Sequence, residues 1–189
     1  MKYNRHSLRL KDYDYTLPGP YFVTTVIHGR ETQFGNVLDG EMQLNESGQI
    51  VADAWQWLGR KFPYLELGAA VVMPNHFHGI ILIGDDPCRG GSHRQSKSPV
   101  SPMAAGGRLG GRPTHTGMEL KIKPLGQLIG AFKTVSAKRI NLYHGTSGQP
   151  VWQRDFYEHV IRDEDDLARI HQYIVDNPAN WQEDDEYAN

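Results

Sequence analysis

The spacing of hydrophobic and polar residues divides this chain into strands and helices before any other property is considered. Tyr21-Phe22-Val23-Thr24-Thr25-Val26-Ile27 is a β-branched and aromatic run and predicts a strand over residues 20–28. Gly35 and Gly40 then punctuate a short hairpin-like stretch that reaches Leu44. Ile50, Val51, Ala54, Trp55 and Leu58 recur at helical spacing, with Asn45 or Ser47 as the cap and Pro63 as the stop. Two apolar runs at 65–73 and 77–83 predict strands joined by a tight turn at Pro74-Asn75. Beyond Pro124, Leu125, Leu128, Ile129, Phe132, Val135 and Ile140 fall on one helical stripe that Gly145 closes. Residues 151–161 predict another strand. Asp163 caps a last helix whose buried stripe is Leu167, Ile170 and Ile174, with Asp166 at capping-box spacing. Pro178 ends that helix near Asn177.

This order of elements is that of an α+β, ferredoxin-like (RRM-like) antiparallel sandwich with one extra C-terminal helix. At 189 residues the chain is expected to be a single domain. Residues 85–118 hold seven Gly and four Pro with little to pack, and predict a flexible insertion between elements. Because this fold hosts many activities, function has to be argued from the site.

Composition narrows the setting. No apolar run approaches the ~20 residues needed to span a bilayer. The first residues lead into polar sequence without a signal-peptide core, and the single cysteine, Cys88, fits a reducing compartment. A cytoplasmic protein, associated with the nucleoid, is expected. The net charge of −2 conceals an asymmetry. Ten Lys or Arg face one acid between Arg89 and Arg139, and eleven acids face two arginines from Asp155 onward. A basic face for a polyanion is one reading of this split, and ordinary solvated charge on loops and termini is the other.

The chemistry-bearing residues cluster at two places. His76-Phe77-His78 opens a strand, so both imidazoles point to one face and Phe77 to the other. Such a pair either ligates one divalent metal or lines the sheet as hydrogen-bonded histidines. Two imidazoles at the start of an otherwise apolar strand are costly to bury without partners. Gly79 leaves backbone room for something to approach. On the last helix Tyr173 and Asn177 are four residues apart and share a face. Tyr173 either packs its ring on the sheet or reaches a phosphate as a nucleophile. Asn177 either caps the helix or gives an amide oxygen to a metal. That mixed donor set suits Mg²⁺ or Mn²⁺, and imidazole favours Mn²⁺.

His76-Phe77-His78 matches the histidine–hydrophobic–histidine (HUH) motif of single-tyrosine transposases, and Tyr173-Ile174-Val175-Asp176-Asn177-Pro178 resembles their nucleophile helix. Trp152-Gln153-Arg154-Asp155-Phe156-Tyr157-Glu158-His159-Val160-Ile161-Arg162 resembles the REP-associated tyrosine transposases among them. So does the opening from Tyr13-Asp14-Tyr15 through Pro18-Gly19-Pro20-Tyr21-Phe22-Val23-Thr24. The resemblance covers nearly all of the chain outside 85–118. It implies an endonuclease and strand transferase acting on single-stranded DNA at hairpins or palindromic repeats, with Mg²⁺ or Mn²⁺ as cofactor. The reaction would leave a 5′-phosphotyrosine and a free 3′-hydroxyl. Position by position, it makes His76 and His78 metal ligands and Tyr173 the nucleophile. Asn177 stands where insertion-sequence relatives carry a glutamine ligand, one methylene longer. It allows either a homodimer that exchanges the tyrosine helix or a monomer.

Lys133, Lys138, Arg139 and Arg154 are the candidate DNA contacts, with the solvated face of a helix as the competing account of the first three. Arg154 and Trp152 either touch DNA or pack the sheet. His159 reads as structural, and Trp55 and Trp57 as core and rim. Two other functions stay open on the sequence alone, a domesticated hairpin-binding protein without strand transfer and a phosphodiesterase that uses water.

Overall fold

A computed structural model describes residues 13–15, 17–84 and 121–183 of the chain. The insertion expected at 85–118, and Cys88 within it, lie outside the described residues. In chain order the elements are β1 (Gly19–Val26), β2 (Gly35–Leu38), β3 (Glu41–Leu44), α1 (Glu46–Lys61) and β4 (Leu65–Val72). There follow β5 (His76–Ile83), α2 (Leu125–His144), β6 (Tyr157–Val160), α3 (Glu164–Asp176) and a 3-10 turn at Trp181–Glu183. Four strands form an antiparallel sheet in the order β4-β5-β1-β6, and β2 pairs with β3 as a separate hairpin. With that hairpin and α3 set aside, the remainder is the expected ferredoxin-like β-α-β-β-α-β unit. No helix among the described residues is long and apolar enough to cross a membrane.

Alternation along the strands gives the sheet two different faces. On one, Tyr21, Val23, Phe77 and Ile81 pack against Val51, Ala54, Trp55 and Leu58 of α1 and Leu128, Ile129 and Phe132 of α2. On the other, Phe22 and Ile80 meet Ile161, Ile170 and Ile174 in a smaller core beneath α3. Strand β5 is covered on both faces, which accounts for its nearly unbroken apolar sequence.

Capping choices left open by the sequence are resolved by geometry. Asn45 is the N-cap of α1, its Oδ1 accepting from the Gly48 amide at 3.0 Å. Ser47 instead bonds His144 Nε2 at 2.8 Å, tying the start of α1 to the end of α2. Gly145 takes the left-handed conformation that closes α2, at φ 68°. Asp163 caps α3, accepting from the Asp166 amide at 2.8 Å. The Asp166 carboxylate is engaged by His159 and Arg169, so it is not the returning half of a capping box.

One expectation about the strands is corrected. The strand predicted over 151–161 is broken. Trp152 bridges Ile27 and Tyr157 pairs with Thr24, leaving four residues on this side opposite two on β1. At the break, the Lys133 ammonium donates to the carbonyls of Gln153 (2.5 Å), Arg154 (3.1 Å) and Asp155 (3.1 Å), which gives these groups partners outside the ladder. At Gly79 the expected close approach is present. A Cβ there would stand 2.9 Å from the rings of Phe77 and Trp55. The close approach is therefore made by core aromatics on the α1 side, opposite the histidines. Trp152 packs the core, its ring 5.1 Å from Phe34 and its indole N–H donating to Ser136 at 2.9 Å.

Gly79→Ala is expected to lose about 1–3 kcal/mol through overpacking of Phe77 and Trp55. Urea denaturation checks this, with a lowered midpoint and an unchanged m-value as the expected result.

Candidate active site

The site forms where β5 begins, on the face covered by α3. Val26 and Thr24 of β1 pair with His76 and His78, so both imidazoles lie beside β1 on the side facing α3. Both are buried, with ring centroids 4.4 Å apart. His76 Nδ1 bonds Asn75 Oδ1 at 2.9 Å. That oxygen only accepts, so Nδ1 carries the hydrogen and Nε2 the lone pair. His78 Nδ1 bonds Thr24 Oγ1 at 2.8 Å. Holding each Nδ1 fixes ring orientation and presents Nε2, as in metal-ligating histidines supported by outer partners. Burial, with His76 beside it, holds His78 well below the usual histidine range. The ring is neutral at neutral pH, which is the form able to donate a lone pair.

Helix α3 brings the second half. Ile170 and Ile174 anchor it, and Tyr173 sits beside them with 46% of its surface exposed. Its hydroxyl lies 3.3 Å from His78 Nε2, and its ring meets Phe22 edge-on at 6.0 Å. Phe22 also stacks on His78 at 5.4 Å. Past the helix, the Trp181 ring lies 5.6 Å from His76. Tyr173 thus stands over His78 and Trp181 over His76, with the buried Asn177 on the segment between them. Among the described residues no cluster of three or more His, Cys, Asp or Glu could hold a metal. Asn177, an amide rather than one of these residue types, lies buried just past the end of α3.

The helix is held at its other end too. His159 Nε2 bonds Asp166 Oδ2 at 2.7 Å across the gap between β6 and the first turn of α3. This bond chiefly, with Arg169 adding to it, keeps the Asp166 carboxyl below its ordinary value of 3.8. His159 thus fixes the tyrosine helix to the sheet.

The basic candidates lie elsewhere. Lys133, Lys138 and Arg139 belong to α2, on the opposite side of the sheet from Tyr173. The Lys133 ammonium is bonded to three carbonyls, and burial lowers its pKa from the usual lysine value. Lys138 and Arg139 are exposed, and Arg154 is exposed in the break before β6. Four residues of the site were not singled out in the sequence, namely Asn75, Thr24, Phe22 and Trp181. Asn75 adjoins the histidine motif and was legible as its neighbour. Thr24 and Phe22 became so only through cross-strand register.

No family model matches the chain. The chain is 32% identical over 190 residues to an uncharacterized protein of Haemophilus influenzae, a match that covers 98% of this chain and 94% of that one. It belongs to the same family as that protein. Among solved structures, that of a REP-associated tyrosine transposase bound to a REP hairpin aligns with a TM-score of 0.56 and 20% identity. The alignment covers 92% of this chain and 73% of that one, and shows a shared fold. That structure comes from the same family that the histidine and tyrosine motifs resemble.

Since the Asp166 pKa is depressed in the folded chain, its stabilising effect is full above pH 3.8 and is lost as pH falls through the lower folded value. Chemical denaturation on both sides of that pH should show a drop in wild type that is smaller in Asp166→Asn.

Proposed function

We propose that this chain is a metal-dependent, transposase-type endonuclease and strand transferase that cuts and rejoins single-stranded DNA through Tyr173. The observation that carries this reading is the position of Tyr173, a half-exposed residue whose hydroxyl lies 3.3 Å from Nε2 of a buried, neutral His78. The hairpin in the solved structure that shares this fold supports hairpin or palindromic DNA as the substrate class.

His76, His78 and Asn177 would hold Mg²⁺ or Mn²⁺, and two imidazoles with an amide oxygen fit Mn²⁺ well. When bound, the ion would supply charge to offset that on the phosphate oxygens in the transition state. The rest falls to the chain itself. Asn75 and Thr24 hold the two imidazoles at Nδ1 and so orient both rings. Helix α3 delivers the phenol to solvent at the edge of a dry core, where a phosphodiester can reach it. The Tyr173 oxygen attacks phosphorus, its proton passing to water. The new P–O bond to tyrosine forms as the bond to the 3′-oxygen breaks, and that oxygen takes a proton from water. No bond energy is lost to hydrolysis, so attack by a 3′-hydroxyl on the phosphotyrosine reverses the step and rejoins DNA.

The test is a denaturing gel of the protein with end-labelled single-stranded hairpins and Mn²⁺. Label migrating with the protein in wild type, and absent in Tyr173→Phe and His76→Ala, is the expected result. Cleavage that survives Tyr173→Phe without an adduct would sink the tyrosine reading in favour of a water-using phosphodiesterase. Hairpin binding without cutting would make the protein a binding module.

Thr24→Val should lower Mn²⁺ affinity about 10–100-fold by removing the partner of His78 Nδ1. Titration calorimetry on the unreacted protein measures this independently of cleavage.

A further inference from the structure

Helix α3 lies over β4 and β5 and reaches β6 through the Asp166–His159 bond. On the same face, β1 and β6 carry Phe22, Thr24 and Tyr157 past the flank of the helix. Tyr157 pairs with Thr24, the residue whose hydroxyl holds His78, and 42% of its surface is exposed. Its ring meets Phe22 edge-on at 6.4 Å and 69°. Tyr173 meets the same phenylalanine at 6.0 Å and 85°. Two half-exposed phenols therefore flank one buried ring, with a strand edge on one side and the proposed nucleophile on the other.

We propose that Tyr157 is a base-stacking residue, which holds the unpaired nucleobase next to the phosphate that Tyr173 attacks. The inference rests on the strand-transfer reading and adds a substrate contact to it. Tyr157 touches Phe22 in this T-shaped pair and still exposes 42% of its surface. Base–aromatic stacking is tolerant of sequence and requires no hydrogen-bond pattern, which suits an isolated ring on an open sheet. Phe22 links this ring to both Tyr173 and His78. A base stacked on Tyr157 would fix the height and direction in which its neighbouring phosphate approaches the tyrosine oxygen.

The test separates stacking from packing. Tyr157→Leu keeps an apolar cover on Phe22 but removes the π-face, whereas Tyr157→Trp keeps both. Each is placed beside Tyr173→Phe, so that substrate is bound but not consumed, and thermal melting verifies the fold. Binding of a hairpin with a single-stranded flank should weaken about tenfold in the leucine variant and recover in the tryptophan variant. An abasic site at one flanking position should cost the Tyr157 protein the same factor and the leucine variant nothing further. Equal abasic costs in both proteins at every flanking position would overturn the stacking role while adduct formation by wild type leaves the strand-transfer reading intact. A wild-type protein that neither binds hairpins nor forms an adduct would overturn both.

Discussion

The docking of α3 on the second face of the sheet is the contact on which the candidate site depends. Without it, β5 would present two imidazoles and Ile80 to water, β1 would present Phe22, and Tyr173 would have no fixed relation to His78. The apolar part of this contact is small, built from Phe22, Ile80, Ile161, Ile170 and Ile174. A helix of 13 residues with so short a stripe would be marginal on its own in water. Polar anchors supplement it at the N-terminal end, the Asp163 cap and the His159–Asp166 bond. The end nearest the histidines is left to Ile174, Asn177 and Trp181, all buried.

The two faces divide the labour of the sheet. The α1–α2 side is a large aromatic core, in which Trp55, Phe77, Phe132 and Trp152 contact one another with centroids 4.8–5.8 Å apart. It gives β5 and β1 a rigid floor. The α3 side carries polar groups that a dry core would exclude, each held by a neighbour such as Asn75 or Thr24. A site that positions reacting groups needs such rigid support beneath it. Lys133 belongs to that support. It spends its three donors on the backbone at 153–155 and so shapes the edge where Arg154 emerges and Tyr157 begins β6.

Much of this was legible along the chain. The β-branched run at 21–27, the helical stripe of 125–140, the Asp163 cap and the Gly145 stop each follow from residue chemistry that acts within a few positions. The alternation of His76, Phe77 and His78 fixed which two side chains would share a face, because strand periodicity is local. Tyr173 and Asn177 shared a helix side for the same reason. The misreadings have a common cause as well. Residues 151–161 have strand composition, yet a lysine twenty residues upstream gives three carbonyls partners outside the ladder. Asp166 has capping-box spacing, yet His159 on β6 claims its carboxylate.

Local periodicity and capping, then, determined the elements, their order and the faces of individual side chains. Tertiary structure alone decided that α3 crosses the sheet at the height of His78, that Thr24 holds the His78 imidazole, and that Phe22 joins Tyr157 to Tyr173. It also decided that the α2 cations lie across the sheet from the tyrosine. The physical reason is range. Backbone sterics and hydrogen bonding act over a turn or a pleat, whereas these contacts join residues about 50 to 150 positions apart, brought together by the burial of two cores against one sheet.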